Sequence, residues 1–189
     1  MKNLIIVIGL NSLAFVGISL GAPLSQFYFI IAGVISLYLL KRNDMWGELS
    51  ISTAVKSYVM AIIGMIAALV VLNLLNASGT GNSIFNESLI NILIFVPFAL
   101  VGEELFTASI TAALENLGIK LNTSLFIASI AFVAIHVPEY GVSFGLISIF
   151  ISRIAFNYAL KRGGIITSSI VHIAYDLSLI SIFSLLSNT

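Results

Sequence analysis

Six ionisable side chains stand where an apolar sequence should exclude them: Glu103, Glu104, His136, Arg153, His172 and Asp176. Leu, Ile, Val, Ala and Phe surround them, and both histidines of the chain belong to the set. A charge at the centre of a bilayer costs about 2.5–3.5 kcal/mol on insertion scales, so such residues are functional candidates by default. Carboxylates and imidazoles together suit amide hydrolysis. That reaction needs a base for water, an acid for the leaving amine and donors for the oxyanion. Glu103, His136 and His172 would alternatively make a zinc set, an ion that often takes three protein ligands and a water. The chain has no cysteine, which excludes disulfides, thiolate ligands and a cysteine nucleophile. It has no HExxH pattern either, so a divalent metal is left open and no cofactor is assigned.

The elements that position these groups are membrane helices. Of 189 residues, 59% are hydrophobic and only 8% charged, and the mean hydropathy is +1.13. A water-soluble fold carries roughly 25% charged residues, so lipid must be the solvent here. Seven apolar stretches approach spanning length, at 4–21, 24–40, 54–75, 88–115, 121–137, 142–160 and 164–186. Between them lie Gly21-Ala22-Pro23, Lys41 to Ser52, Asn76 to Asn86, Asn116 to Lys120, Pro138 to Gly141 and Lys161 to Gly164. The expectation is an all-α bundle of about seven transmembrane helices. It forms a single integral membrane domain over 1–189, with its chemistry-bearing core at about 88–180. Lys2 followed by Leu4 to Leu20 could open a secretory signal, but Pro23 is a poor cleavage context, and this stretch is read as a retained span. A net charge of zero gives no sign of a nucleic-acid partner.

Lys and Arg set an orientation. With Lys2 in the cytoplasm, Lys41, Arg42, Lys56, Lys120, Lys161 and Arg162 all fall inside. The loops at 76–87 and 138–141, which carry neither residue, fall outside. A plasma-membrane protein with a cytoplasmic N-terminus is expected. At a 1.5 Å rise per residue, Glu103 and His136 lie about 20 and 22 Å above the cytoplasmic face, His172 about 12 Å and Asp176 about 18 Å. The four groups occupy one slab, as a common polar cavity requires. His172 and Asp176 share a helix face, whereas Glu103 and Glu104 diverge by about 100°. One of the pair should face the cavity while the other anchors a neighbouring helix. Pro97 is expected to kink the fourth span and admit water near them.

Gly102-Glu103-Glu104, Phe132-x-x-x-His136 and His172-x-x-x-Asp176, each on its own helix and in this order, resemble the three motifs of the CPBP family. That family includes type II CAAX prenyl proteases and bacterial bacteriocin-processing or self-immunity proteins. The resemblance implies an intramembrane protease acting on a membrane-associated peptide or protein. Glu103 and His136 would activate a water, and His172 and Asp176 would stabilise the oxyanion. Many relatives have Asn where this chain has Asp176. With Glu104 these make the implied catalytic set, and nothing in the sequence says whether the substrate is prenylated.

One position departs from the pattern. The family's first motif continues to an arginine four residues after the second glutamate, where this chain has Ala108. Glu104 then lacks a partner and should neutralise or find another cation. Arg153, about 10 Å above the cytoplasmic face against about 12 Å for Ala108, is placed to supply it. Snorkelling to the headgroups is the alternative for Arg153. Two other classes stay open: a catalytically silent immunity or scaffold relative, and a proton carrier. No inverted repeat supports the carrier, and no GxGD or GxSG pattern points to another intramembrane protease.

Overall fold

Apolar runs punctuated by glycine, proline and asparagine favour helices, and every regular element among the described residues of the computed structural model is helical. The structure describes residues 2–19, 25–74, 89–141, 143 and 145–187. The expected breaks at Gly21-Ala22-Pro23 and Asn76 to Asn86 lie outside them. Helix α1 spans Lys2–Ser19, α2 Ser25–Leu39, α3 Ile51–Leu74, α4 Leu89–Glu115 and α5 Leu121–Ile135. The single turn α6 spans Val137–Tyr140 and α7 spans Gly145–Ser187, with a 3-10 turn at Asn43–Met45. Among the described residues three stretches are long and apolar enough to cross a membrane: Ile51–Val71, Val96–Glu115 and Gly145–Ile182. The apolar stretches of α1, α2 and α5 are shorter; the 15 residues of α5 rise about 22 Å, against a hydrocarbon core of about 30 Å. Among the described residues the chain is all helical, with the long apolar helices of an integral membrane protein.

The sixth and seventh expected spans are two arms of α7, joined at one residue rather than by a polar loop. Gly164 alone leaves helical geometry, with φ 70° and ψ −170°. In an unbroken helix Phe156 and His172 would stand about 24 Å apart. Their ring centroids are 4.4 Å apart, and Ser168 Oγ donates to the Phe156 carbonyl at 3.0 Å. The arms therefore fold back side by side.

Residues 46–50 are pressed into this bend. The Ile166 N–H donates to Trp46 O (3.2 Å), Thr167 Oγ1 donates to Glu48 O (2.8 Å), and the Ser50 N–H donates to Thr167 Oγ1 (3.0 Å). The first of these satisfies a donor that a helix start leaves without an intrahelical partner. A Cβ on Gly164 would meet backbone atoms of Gly47 and Trp46 at 2.6 Å, and the left-handed φ adds its own penalty. Gly164→Ala is accordingly expected to cost about 1–3 kcal/mol of stability, read as a lower melting temperature in detergent. Gly118→Ala is the control: φ there is +84°, yet nothing lies within 4 Å of the added Cβ, so it should lose less.

Helix α4 is central. Helices α2 and α1 pack on one side of it and α5 and α7 on the other, while α3 lies along α7. The basic ends of the helices are tied together. Arg42 bridges Asp44 and Glu115, each at 2.8 Å, and Lys161 Nζ donates to Asn122 Oδ1 at 2.8 Å. The hydrogen bond from Arg42 holds the Asp44 carboxyl below its usual range, and the same bond raises the guanidinium's pKa. Beyond this end Leu105, Ala108, Ala112, Leu125, Leu160 and Ile165 form a buried apolar cluster.

Candidate active site

Adjacent positions on α4 send their two carboxylates to different surroundings, as a 100° step per residue dictates. Glu104 is fully buried and turns to α7. Arg153 Nη1 and Nη2 donate to its Oε1 and Oε2 at 2.5 and 2.9 Å. Ser168 Oγ donates to Oε2 at 2.5 Å, and His172 Nδ1 meets Oε1 at 2.8 Å. A bidentate guanidinium is the strongest partner a buried carboxylate can have. Arg153 does not snorkel: it is fully buried, its guanidinium carbon 5.0 Å from the Phe132 ring centre and 5.4 Å from that of Phe156. Its Nε donates to Asn157 Oδ1 at 3.2 Å, and Asn157 Nδ2 donates to Ser129 Oγ at 2.7 Å. One polar chain thus ties α4, α5 and both arms of α7.

Glu103 faces the histidines. Its Oε1 lies 3.9 Å from His136 Nε2 and its Oε2 lies 3.8 Å from His172 Nε2, while Asp176 Oδ2 is also 3.8 Å from His172 Nε2. The side chains of Glu103, His136 and Asp176 are 19%, 16% and 29% exposed, against 5% for His172. Each imidazole is fixed from behind. His136 Nδ1 is 2.9 Å from the Phe132 carbonyl, which only accepts, so Nδ1 carries the hydrogen. His172 Nδ1 likewise donates to Glu104, whose charge Arg153 holds. Both rings therefore present Nε2 to Glu103, the orientation that a partner on the other ring nitrogen imposes. Phe132 is the wall between the tiers, its ring centre 4.8 Å from that of His136 and 6.0 Å from that of His172.

All the residues singled out from the sequence meet here: Glu103, Glu104, His136, His172, Asp176 and Arg153. His136 stands one residue beyond α5, as its C-cap, rather than inside the helix. Glu104 reaches the same imidazole as Glu103, at the opposite nitrogen, a contact the sequence did not reveal. Ser168, Asn157 and Ser129 were missed as well. Asn157 carried a signal, an amide one turn after Arg153 in an apolar helix, whereas Ser168 and Ser129 looked like any other small packing residues. Among the described residues no group of three His, Asp or Glu side chains is arranged to hold a metal ion. Glu103, His136 and His172 do not form a ligand set in this geometry.

Residues 85–178, the stretch that holds every one of these side chains, match the family model of Rce1-like type II CAAX prenyl endopeptidases. The chain is a member of that family through this segment. No curated protein and no solved structure matches it. The Rce1-like segment includes all of α4 and α5 and most of α7. It leaves out α1, α2 and α3, which carry none of the motif residues. The family is one of membrane proteases, in agreement with the CPBP resemblance of the three motifs.

Proposed function

We propose that this Rce1-like chain is an intramembrane endopeptidase that hydrolyses a peptide bond of a membrane-associated peptide or protein. The observation that carries the reading is the convergence of two imidazole Nε2 atoms on Glu103 at 3.8 and 3.9 Å. These gaps exceed a hydrogen bond, but a water about 2.8 Å from both Glu103 Oε1 and His136 Nε2 would see them at roughly 90°, close to its own bond angle. Such a water gives a proton to Glu103 as its oxygen attacks the carbonyl carbon. The tetrahedral intermediate then collapses, the C–N bond breaks, and the amine takes the proton that Glu103 received.

The oxyanion falls to His172 and Asp176. His172 donates from Nε2 only when both ring nitrogens carry hydrogen, because Nδ1 is committed to Glu104. Asp176 donates only as the neutral acid. Asp176→Asn, which donates at any pH, should therefore keep activity within about tenfold, whereas Asp176→Ala should lose about 10²–10³-fold in kcat, the usual effect of deleting an oxyanion donor. Steady-state kinetics of the two variants beside the wild type check both points.

The reading includes seven membrane crossings in the plasma membrane with a cytoplasmic N-terminus, supported by the one-sided distribution of Lys and Arg. Its test is reconstitution in lipid vesicles with a panel of membrane peptides, prenylated and not, with product detected by mass. Cleavage of some member by the intact protein, and of none by Glu103→Ala or His136→Ala, is expected. Cleavage that survives either substitution sinks the mechanism.

A further inference from the structure

Where the bend of α7 meets residues 42–50, the bundle holds a cavity of about 480 Å³. That is within the range of about 300–1,000 Å³ usual for small-molecule sites. Glu115 at the end of α4 and the first turns of α5 complete its walls. Its floor is built in advance. The backbone of Gly47 lies against that of Gly163 and Gly164, and the bonds from Ile166 to Trp46 O and from Thr167 to Glu48 O fix the segment in place.

The charges of the lining are sorted by segment. Residues 42–50 and α4 bring three carboxylates, Asp44, Glu48 and Glu115, against one guanidinium. That guanidinium, Arg42, bridges Asp44 and Glu115, each at 2.8 Å. Glu48 makes no ion pair among the described residues. The bend of α7 brings two cations, Lys161 and Arg162, which have no carboxylate partner among the described residues. Lys161 Nζ donates to the neutral Asn122 Oδ1 at 2.8 Å. One part of the wall is left negative and another positive.

The level of the cavity is that of lipid headgroups. The apolar stretch Ile51–Val71 begins directly after Ser50, and Val96–Glu115 ends at Glu115; Ser50 and Glu115 both line the cavity. Leu121, Leu125 and Leu160 give it an apolar wall beside these charges, the last two only 5% exposed. Trp46, the chain's one tryptophan, adjoins it, as aromatic anchors do at this level.

We propose that this cavity binds the headgroup of a zwitterionic phospholipid with a primary ammonium, of the phosphatidylethanolamine kind. Its phosphate falls to Lys161 and Arg162, its ammonium to Glu48 and the carboxylates beside it, and its glycerol and first acyl carbons to the leucines. A primary ammonium has three N–H donors for carboxylates, whereas a quaternary one has none. An anionic headgroup meets the same carboxylates with like charge. Glu115 stands about 18 Å along α4 from Glu103, so this site is separate from the hydrolytic one and does not rest on the hydrolase reading.

The test is lipid titration of the full chain, delipidated in a neutral detergent and followed by native mass spectrometry and thermal melting. Dioleoyl-phosphatidylethanolamine, the matching phosphatidylcholine and phosphatidylglycerol, and soluble glycerophosphoethanolamine are compared. One equivalent of the ethanolamine lipid should bind about tenfold more tightly than either other lipid, the effect of one charged hydrogen bond. At about 100 times its dissociation constant it should raise the melting temperature by about 5–10 °C. Lys161→Gln with Arg162→Gln should lose about tenfold or more in affinity for every phospholipid. Glu48→Gln should bring the ethanolamine lipid down to the choline one. Lys56→Gln, outside the cavity, should bind as the original does. The lipid-free melting temperature of each variant separates lost binding from lost folding. Equal affinity for the three lipids, preference for the anionic one, or an equal loss in Lys56→Gln overturns the proposal. Glycerophosphoethanolamine that binds as tightly as the lipid overturns it too, in favour of a soluble ligand.

Discussion

Glu103→Gln should lower kcat/KM for a reconstituted peptide by about 10²–10⁴-fold, the range a positioned general base contributes, while leaving the melting temperature within about 1 °C. The two halves of this expectation come from the same geometry. The glutamine is the same size but cannot take a proton from water, so the chemical step loses its base. The nearest imidazole nitrogens stand 3.8 and 3.9 Å from the carboxylate, too far for a hydrogen bond, so the substitution removes none of the bonds that join the helices. His136→Ala should fall as far, and the double substitution scarcely further, because a base and its partner on one water act as a unit. The loss should lie in kcat with KM nearly unchanged, since neither residue is assigned to substrate binding. A Glu103→Gln protein that still cleaves at more than a tenth of the original rate would remove Glu103 from the reaction. Melting that dropped with activity would recast it as a structural residue.

The parts of this arrangement that were legible in sequence are those that depend on counting along a helix. A rise of 1.5 Å per residue brought Glu103, His136 and Asp176 to one depth, and the 100° step separated the two glutamates into one buried anchor and one exposed group. The partner of Glu104 was legible because Ala108 left a carboxylate without its expected arginine, and Arg153 lay at a matching height. What counting does not give is which side chain on a neighbouring helix will be met. The bond from Glu104 to His172 depends on the two arms of α7 folding together, and that fold depends on a single left-handed glycine held open by the backbone of residues 46–50. At α5 the apolar run at 121–137 ends two residues beyond the helix. Its helix stops at Ile135, where the His136 ring bonds back to the Phe132 carbonyl and Pro138 follows without an N–H to offer.

Arg153→Met should destabilise the protein by about 3–5 kcal/mol, the usual result of removing one member of a buried ion pair. Methionine is similar in length and fits between Phe132 and Phe156, so the loss is electrostatic rather than a cavity. Two donors vanish from a carboxylate at 0% exposure, leaving only Ser168 and His172 on it. The effect should appear as lower melting temperature and faster aggregation in detergent. Arg153→Lys should recover only part of it, because an ammonium cannot bond bidentately or lie flat between two rings. The decisive variant is Arg153→Met with Glu104→Gln. Neutralising both partners removes the unpaired charge, so the double substitution should be more stable than Arg153→Met alone, with a coupling of about 1–3 kcal/mol in a double-mutant cycle. Activity should not return with stability. A glutamine at 104 can turn its oxygen to His172 Nδ1, but it has no charge with which to favour the doubly protonated ring that donation from Nε2 to the oxyanion requires. A double variant that is stable yet slow would separate the two duties of Glu104, holding α4 to α7 and setting the charge of His172. One that regained both would leave it only the first.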